Sequence, residues 1–471
     1  MNDPKKSVSD SSSQFIKATR SQKKGAKEVL RLGQKVYDYR KDLLSEEDAL
    51  NLEKSNNELK RALNAKPVSG PELEAKAKKV DQELQKSGDL YYHKKTWVEN
   101  VEMLLVAAIV VIGIRSFFVQ PFIIPTNSMY PSFSGMQPHV YESEDSTPGF
   151  AGRCMDKLFL GASHYKIEAE ATGDLYLKLQ GQMSFRFDEA KFPEGRFFIF
   201  PATVREYVFE VGGKEHILRV PAEFDLDELI ARKFAGVENL QDLPLIITQD
   251  QGFPSNRLKL SDKTFKTGDL LLAFDILLGD ALFVDRFSYN FVHPKSGDPA
   301  VFRTESIDHF NREINTNVVS QIGEDKYYIK RLVGEPGDTL EMQVPENIFL
   351  NGTDVRKGVP GVMYRNGLPL TGKTAFDRNR QRTEDLANDP AAVPTDAYPG
   401  YRAEGLLTNK SILKVPKAEE NPTGKKAYFA MGDNSTDSLD GRAWGFVPEN
   451  EIIGRAFLIY YPFTKRWGFA D

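Results

Sequence analysis

The sequence has one cysteine and six histidines among its 471 residues. The single thiol, Cys154, cannot form an internal disulfide, and it excludes zinc sites built from several cysteines. We interpret it as an inert thiol packed in the core. No histidine lies in a recognisable catalytic motif, and the sequence contains no Gly-rich phosphate loop or cluster of metal ligands. We therefore expect neither a cofactor nor a metal.

The composition is that of a folded protein, with 40% apolar and 27% charged residues. The length exceeds what one hydrophobic core usually serves, so two or three structural units are expected. A net charge of −5 gives no reason to expect binding to nucleic acid.

The first part of the chain differs in charge from the rest. Residues 1–97 contain 21 Lys+Arg and 15 Asp+Glu, a net charge of +6, so the remaining chain carries −11. We predict a charged, largely helical arm over residues 1–96, with disorder over residues 1–13. Proline at position 71 indicates a helix start. The apolar stripe that follows could pair with another helix, although a loose solvated hairpin fits equally well; it comprises Leu73, Ala77, Val80 and Leu84.

An apolar run follows the arm. Residues 103–114 contain no polar side chain, and apolar residues extend the run upstream to Trp97 and downstream to Phe118. This length predicts a transmembrane helix over residues 97–118, with Arg115 at one interface. The alternative is a helix buried in a soluble core.

Basic residues predict the orientation of this helix. Lys86, Lys94 and Lys95 lie just upstream, whereas the next basic residue downstream, apart from Arg115, is Arg153. The positive-inside rule therefore places the arm in the cytoplasm and the large carboxyl-terminal region outside it.

A candidate nucleophile follows the apolar run. Ser128 lies in the segment 120–131, QPFIIPTNSMYP, with no histidine nearby. A serine needs a base to become nucleophilic. The alternative to histidine is a lysine that burial keeps neutral, because desolvation lowers the pKa of an amine.

A candidate lysine lies in the segment 327–338, YYIKRLVGEPGD. Its β-branched and aromatic residues predict a strand over residues 327–333. Alternation along a strand puts Lys330 on the same face as Tyr328 and Leu332, and Arg331 on the opposite face. Lys330 is therefore predicted to be flanked by large apolar side chains.

A third segment, residues 431–448, is rich in small polar residues and precedes a predicted strand over residues 452–460. Asp440 and Arg442 are spaced for a local ion pair that could brace such a loop.

In this order behind an apolar run, the three segments resemble the type I signal peptidase family. The motifs that carry the resemblance are residues 124–131, 328–331 and 432–434, with a weaker match at 279–287 and 297–302. The sequence departs from the family pattern at Ser435, often arginine, and at Gly441, usually serine. The resemblance covers residues 97–132, 279–345 and 425–462.

The resemblance implies a role for each matching residue. Ser128 is the nucleophile and Lys330 its general base. The hydroxyl of Thr126 and the backbone N–H of Ser128 form the oxyanion hole, and Ser438 orients the lysine. Shallow pockets for small substrate residues are lined by Phe122, Ile124, Met129, Tyr328 and Ile329.

The resemblance also implies a fold. We expect a mainly β protein whose antiparallel catalytic domain comprises residues 119–132 and 279–471. Residues 133–278 form an insertion, predicted as a β-rich subdomain with one helix near residues 226–234. Residues 351–423 form a second, variable insertion. We interpret both insertions as surface elaborations without a catalytic signature that could contact the membrane or partner proteins.

The implied function is that of a membrane-bound serine endopeptidase of the inner (plasma) membrane, with a single span and a periplasmic catalytic domain. Its substrates would be secretory preproteins with small residues before the cut. The lipid bilayer and helices that pair with the arm are further expected partners. A dedicated peptidase of the same fold with few substrates is one alternative. A non-catalytic membrane-anchored scaffold is another.

Overall fold

The computed structural model describes residues 16–89, 92, 96–143, 146–179, 186–190, 202–237, 239–250, 253–350, 359–389 and 400–470. The disorder predicted for residues 1–13, and the basic pair Lys94 and Lys95, lie outside the described residues. The chain divides into two compact units, Met1–Ile112 and Gly113–Asp471.

Most helical residues of the described chain belong to four long helices in its first third. In chain order the helices are α1 Arg20–Arg40, α2 Glu46–Asn64, α3 Gly70–Ser87, α4 Thr96–Phe117, α5 Phe150–Leu160, α6 Asp227–Ile230, α7 Ile307–Glu313, α8 Glu346–Leu350, α9 Thr374–Asn388 and α10 Gly441–Trp444.

The strands lie in the second unit. In chain order they are β1 Val119–Ile123, β2 Gln137–Tyr141, β3 Ser163–Glu168, β4 Leu175–Leu179, β5 Arg186–Ala190, β6 Ala202–Val211, β7 Lys214–Pro221, β8 Leu245–Asp250, β9 Phe253–Lys259, β10 Leu270–Leu277, β11 Ala281–Asp285, β12 Pro299–Arg303, β13 Tyr327–Gly334, β14 Thr339–Gln343, β15 Val359–Arg365, β16 Leu368–Pro369, β17 Tyr401–Ala403, β18 Ile412–Lys414, β19 Ala427–Met431, β20 Val447–Pro448, β21 Ile452–Tyr461 and β22 Gly468–Phe469.

The first unit contains a three-helix bundle built from α1, α2 and α3. Thr19 caps α1 through a capping box with Gln22, and Pro71 lies in the first turn of α3 as predicted. The predicted stripe of α3 is part of the bundle core, so the interpretation as a loose solvated hairpin is wrong. The buried core residues are Ala18, Ala26, Val36, Leu52, Leu59, Ala62, Val68, Leu73, Val80 and Leu84.

Helix α4 carries the apolar run. The window Asn100–Phe117 has a mean hydropathy of 1.9, and none of it is buried. A helix packed in a soluble core would be mostly buried, so that alternative does not fit. The length and composition suit a membrane span.

The three motif segments lie in or next to an antiparallel eight-stranded sheet of the second unit. Its strands follow the order β1-β11-β21-β12-β13-β19-β20, with β22 paired to β21. The strands predicted over residues 327–333 and 452–460 are confirmed as β13 and β21. The prediction of mainly antiparallel β sheets is thus confirmed for this unit.

The described residues between 133 and 278 form two further antiparallel sheets, ordered β2-β10-β3 and β5-β6-β4-β9-β8 with β7 on β6. The predicted helix near residues 226–234 is present as α6 and the π-helical turn that continues it. The prediction missed α5. Both ends of the segment meet, because the N–H of Asp280 donates to the carbonyl of Ser134 at 2.8 Å.

Two expectations about side-chain burial are wrong. Cys154 is exposed on α5 rather than packed in the core. The second concerns the described part of residues 351–423, which is more than a surface elaboration. Asn379 and Thr383 of α9 are buried, and Asn379 hydrogen-bonds to the 431–448 segment. In both cases the burial of a side chain depends on which distant segments pack against it. Local composition does not determine those contacts.

Candidate active site

Ser128 lies in a tight turn directly after β1. Strand β1 pairs with β11, and the 3-10 turn Asn127–Met129 follows it. The side-chain oxygen of Asn127 holds this turn by accepting hydrogen bonds from Gly135 N at 3.0 Å and Gln137 Nε2 at 2.6 Å. Ser128 is buried. The hydroxyl is therefore presented by a rigid, internally braced loop.

Lys330 lies at the centre of the same sheet, on β13 between β12 and β19. Its cross-strand neighbour on β12 is Ala300, whose small side chain leaves room for the lysine. The Lys330 side chain is 5% exposed, and its Nζ lies 2.6 Å from Ser128 Oγ. The structure therefore brings the predicted nucleophile and base, 202 residues apart, into hydrogen-bond contact. No histidine of the described residues hydrogen-bonds to Ser128.

The surroundings of Lys330 favour the neutral amine. Burial lowers the pKa of Lys330 to about 8, since the ammonium form loses its hydration. Asp440 opposes this shift and Arg442 adds to it. The ring of Tyr328 lies on the same face, 5.7 Å from Nζ. An amine with such a pKa is a usable base in mildly alkaline solution.

The loop after β19 closes over the serine turn. Asn434 N donates to the carbonyl of Ser128 at 3.0 Å, and Asn434 Nδ2 donates to the carbonyl of Asn127 at 3.2 Å. A Cβ on Gly432 would lie 2.4 Å from Ser128 O and 2.2 Å from Ser438 Oγ. Only glycine therefore permits the loop to approach the serine so closely.

Asp440 and Arg442 form a buried, two-pronged ion pair. Arg442 Nε and Nη2 lie 2.8 and 2.9 Å from the two carboxylate oxygens of Asp440. Asp440 also accepts a hydrogen bond from Gly432 N at 3.0 Å, and Arg442 donates to the carbonyl of Ser435 at 2.8 Å. The pair thus fixes the turn on both sides of Ser438.

A second buried ion pair was missed from the sequence. Arg331 Nε and Nη2 lie 2.8 and 2.7 Å from the carboxylate oxygens of Asp433, and Nη1 donates to the carbonyl of Gly297 at 2.8 Å. Both side chains are fully buried. Arg331 is the neighbour of Lys330 on β13, and Asp433 lies in the loop after β19 that contacts the Ser128 turn. This ion pair therefore joins β13 to that loop.

Asn379 is another residue that sequence reasoning missed. Its buried amide, on α9, donates to the carbonyl of Asp433 at 3.1 Å. From the same variable stretch, the N–H of Arg402 donates to Ser435 Oγ at 2.8 Å, and Glu404 forms an ion pair with Arg442 at 2.8 Å. Described residues of the stretch after β14 therefore hold the 431–448 segment in place.

The remaining predicted residues surround the Ser128–Lys330 pair. Thr126 is exposed one residue before the turn. Ser438 Oγ is shielded from solvent and has no hydrogen-bond partner among the described residues, Lys330 included. Of the predicted pocket residues, two are fully buried and three half-buried: Ile124, Met129, Phe122, Tyr328 and Ile329.

Part of this site lies in residues that match a known protein family. Residues 274–461 match the family model described as "Signal peptidase, peptidase S26". Over these residues the chain is similar to the signal peptidase family, and this similarity supports a serine endopeptidase. The matched residues include Lys330 and the 431–448 segment and begin after Ser128.

Individual signal peptidases are similar to this chain over a stretch of comparable length. A signal peptidase I of Buchnera aphidicola (subsp. Baizongia pistaciae) is 25% identical over 217 residues, which are 41% of this chain and 67% of that protein. A probable signal peptidase I-1 of Synechocystis is 27% identical over 190 residues, 40% of this chain and 66% of that protein. The matches thus span about two thirds of these relatives' length.

A solved signal peptidase I of Enterococcus faecalis aligns with 34% of this chain and 97% of its own length at 19% identity, with a TM-score of 0.18.

Proposed function

We propose that the chain is a membrane-anchored signal peptidase that uses Ser128 as nucleophile and Lys330 as general base. The observation that carries the proposal is the 2.6 Å contact between Lys330 Nζ and Ser128 Oγ in a buried site. A desolvated amine placed against a hydroxyl is the arrangement needed to activate serine without histidine.

The reaction follows from this contact. The neutral amine of Lys330 takes the proton of Ser128, and Oγ attacks the scissile carbonyl of the preprotein. The resulting oxyanion is stabilised by the backbone N–H of Ser128 and the hydroxyl of Thr126, at about 3 kcal/mol per donor. The ammonium of Lys330 returns its proton to the leaving amine, which leaves an ester on Ser128. Water, activated by the same amine, then hydrolyses the ester.

We assign the buried hydroxyl of Ser438 to the orientation of Lys330. Its oxygen adjoins Gly432 and has no other hydrogen-bond partner among the described residues, so it is available to an ammonium. The ion pair of Asp440 and Arg442 supports this role by holding the backbone around Ser438. Arg442 Nη2 donates to the carbonyl of Ser438 at 3.2 Å.

The proposed substrates are secretory preproteins with small residues before the cut. Residues Ile124 and Met129 pack into the core beside Ser128, so they would form the floor of a shallow pocket rather than project into it. Small apolar pockets discriminate by about 1–3 kcal/mol each. Anchoring would compensate by raising the effective concentration of membrane-bound substrate.

A panel of preproteins tests the substrate class. A signal peptidase should cleave many members of the panel after small residues, and Lys330→Ala should cleave none. Cleavage of one preprotein alone would favour the dedicated peptidase. Cleavage of none by the natural chain would favour the non-catalytic scaffold.

The rate should depend on pH through Lys330. Because its pKa is lowered to about 8 and only the neutral amine accepts a proton, kcat/KM should rise with pH, reach half its maximum near pH 8 and level off above. Peptide cleavage between pH 6 and pH 10 measures this profile. A rising limb near pH 6.5, the ordinary value for histidine, that vanishes on replacing a histidine would contradict the assignment.

We further propose that α4 spans the membrane with the arm in the cytoplasm. In spheroplasts, whose outer membrane is opened and whose inner membrane is sealed, added protease should then leave the three-helix bundle intact and digest exposed loops after residue 118. Detergent-lysed spheroplasts provide the control, since the protease reaches both sides of the membrane there. Digestion of the bundle in sealed spheroplasts would reverse the topology.

A further inference from the structure

Helix α5 stands out because its apolar side faces solvent. Phe150 and Leu158 are 86% and 64% exposed, and Met155 and Phe159 are exposed as well. No residue of α5 is fully buried. A surface helix of a soluble protein normally turns its apolar stripe toward the core. Exposed apolar patches of this kind mark a contact surface.

The opposite side of α5 packs on the protein and is less apolar, with leucine as its one large apolar residue. Gly152, Asp156 and Leu160, spaced by four residues, are the half-buried positions. Lys157 Nζ donates to Ser163 Oγ at 3.0 Å, at the start of β3. The helix is therefore held by one face while its apolar face is left open.

The carboxyl end of α5 is attached by hydrogen bonds to the end of β21, in the eight-stranded sheet. The hydroxyl of Tyr461 donates to the carbonyls of Lys157 and Leu158 at 3.0 and 3.1 Å. The N–H of Phe463 donates to the carbonyl of Phe159 at 3.1 Å, and the two rings are 6.3 Å apart. Phe463 is itself exposed, so it continues the apolar face of α5.

Chain connectivity places this face close to the end of the apolar span. One residue, Phe118, separates α4 from β1. Strand β1 is five residues long, roughly 17 Å at the usual rise. Its last residue, Ile123, pairs with Ala281, and Ala281 pairs with Tyr461, which holds α5. The attachment point of α5 thus lies about one strand length from Phe118, the residue of the same unit that follows α4.

We infer that α5 lies in the surface of the bilayer, with the face formed by Phe150, Cys154, Met155, Leu158 and Phe159 in the acyl-chain boundary. At 3.6 residues per turn, Arg153 and Lys157 lie together at one rim of this face. Basic residues beside an apolar face are typical of interfacial helices on anionic lipid. The inference rests on the membrane anchoring proposed above and is independent of cleavage.

The single cysteine provides the test. The full chain is labelled at Cys154 with an environment-sensitive fluorophore and reconstituted into vesicles of phosphatidylcholine and phosphatidylglycerol. Nitroxide lipids report depth. We expect quenching at Cys154 that is strongest for nitroxides just below the headgroups. A cysteine at the fully exposed position 262, in the variant Cys154→Ser/Asp262→Cys, should remain unquenched.

A matched pair of substitutions locates the contact. Met155→Glu/Leu158→Glu, which changes exposed side chains only, should abolish the quenching of labelled Cys154. Ile217→Glu, the same change at an exposed apolar position on β7, should leave it intact. Both variants should cleave a short soluble peptide at the natural rate.

Several results would overturn the inference. These are absence of lipid quenching at Cys154, equal quenching at position 262, or quenching that survives the double glutamate variant. A label shielded from water but not reached by lipid nitroxides would indicate a protein partner or a second copy, and would also overturn it. Ser128→Ala should quench normally, so failure of the peptidase proposal alone leaves this result unchanged.

Discussion

Lys330→Ala should reduce kcat for a cleaved peptide by roughly 10²–10⁴-fold, which is the usual contribution of a positioned acid–base group. Ser128→Ala should reduce it at least as far, because no nucleophile remains. The reason is that Lys330 Nζ lies 2.6 Å from Ser128 Oγ. No other basic side chain among the described residues hydrogen-bonds to that hydroxyl. The measurement is steady-state cleavage by purified protein, with circular dichroism to confirm folding.

Two variants serve as controls for this result. Lys326→Ala removes an exposed lysine just before the same strand and should leave kcat unchanged. Lys330→Arg keeps the charge but should not restore activity, because a guanidinium remains protonated and cannot accept the serine proton. Retention of more than about one per cent of the activity by Lys330→Ala would contradict the assignment of Lys330 as base.

The Lys330 strand shows how far the sequence predicts this site. Period-two alternation predicted Tyr328, Lys330 and Leu332 on one face, and β13 has that pattern because its residues are β-branched and aromatic. The partner of Arg331 could not be predicted in the same way. Asp433 lies 102 residues away, and only the pairing of β13 with β19 brings it into contact.

The inserted segments show a different limit. The strands of the β-rich subdomain predicted for residues 133–278 are present, and in a strand such as β4 alternate residues are buried. Helix α5 was missed because its apolar residues face outward and it is short. The same limit applies to α9. Nothing local in Thr374–Asn388 indicates that Asn379 would be buried against the backbone of Asp433.

The ion pair between Arg331 and Asp433 should be the part of the site most sensitive to substitution. Asp433→Ala removes the buried carboxylate that accepts two hydrogen bonds from the guanidinium of Arg331, and breaking a buried ion pair typically costs about 3–5 kcal/mol of unfolding free energy. Activity should fall with stability, since Asp433 adjoins the loop that closes on Ser128. Urea denaturation measures the first effect and peptide cleavage the second.

A matched exposed pair shows whether burial is the reason. Arg303 Nε and Nη2 contact both carboxylate oxygens of Asp325 in the same two-pronged manner, but at the surface of the neighbouring strand β12. Asp325→Ala should therefore lower the unfolding free energy by at most about 1 kcal/mol.

The double variant Arg331→Met/Asp433→Leu should recover much of the stability lost in Asp433→Ala, since it removes both buried charges. Equal costs for Asp433→Ala and Asp325→Ala would mean that the buried pair does not hold the lysine strand to the loop.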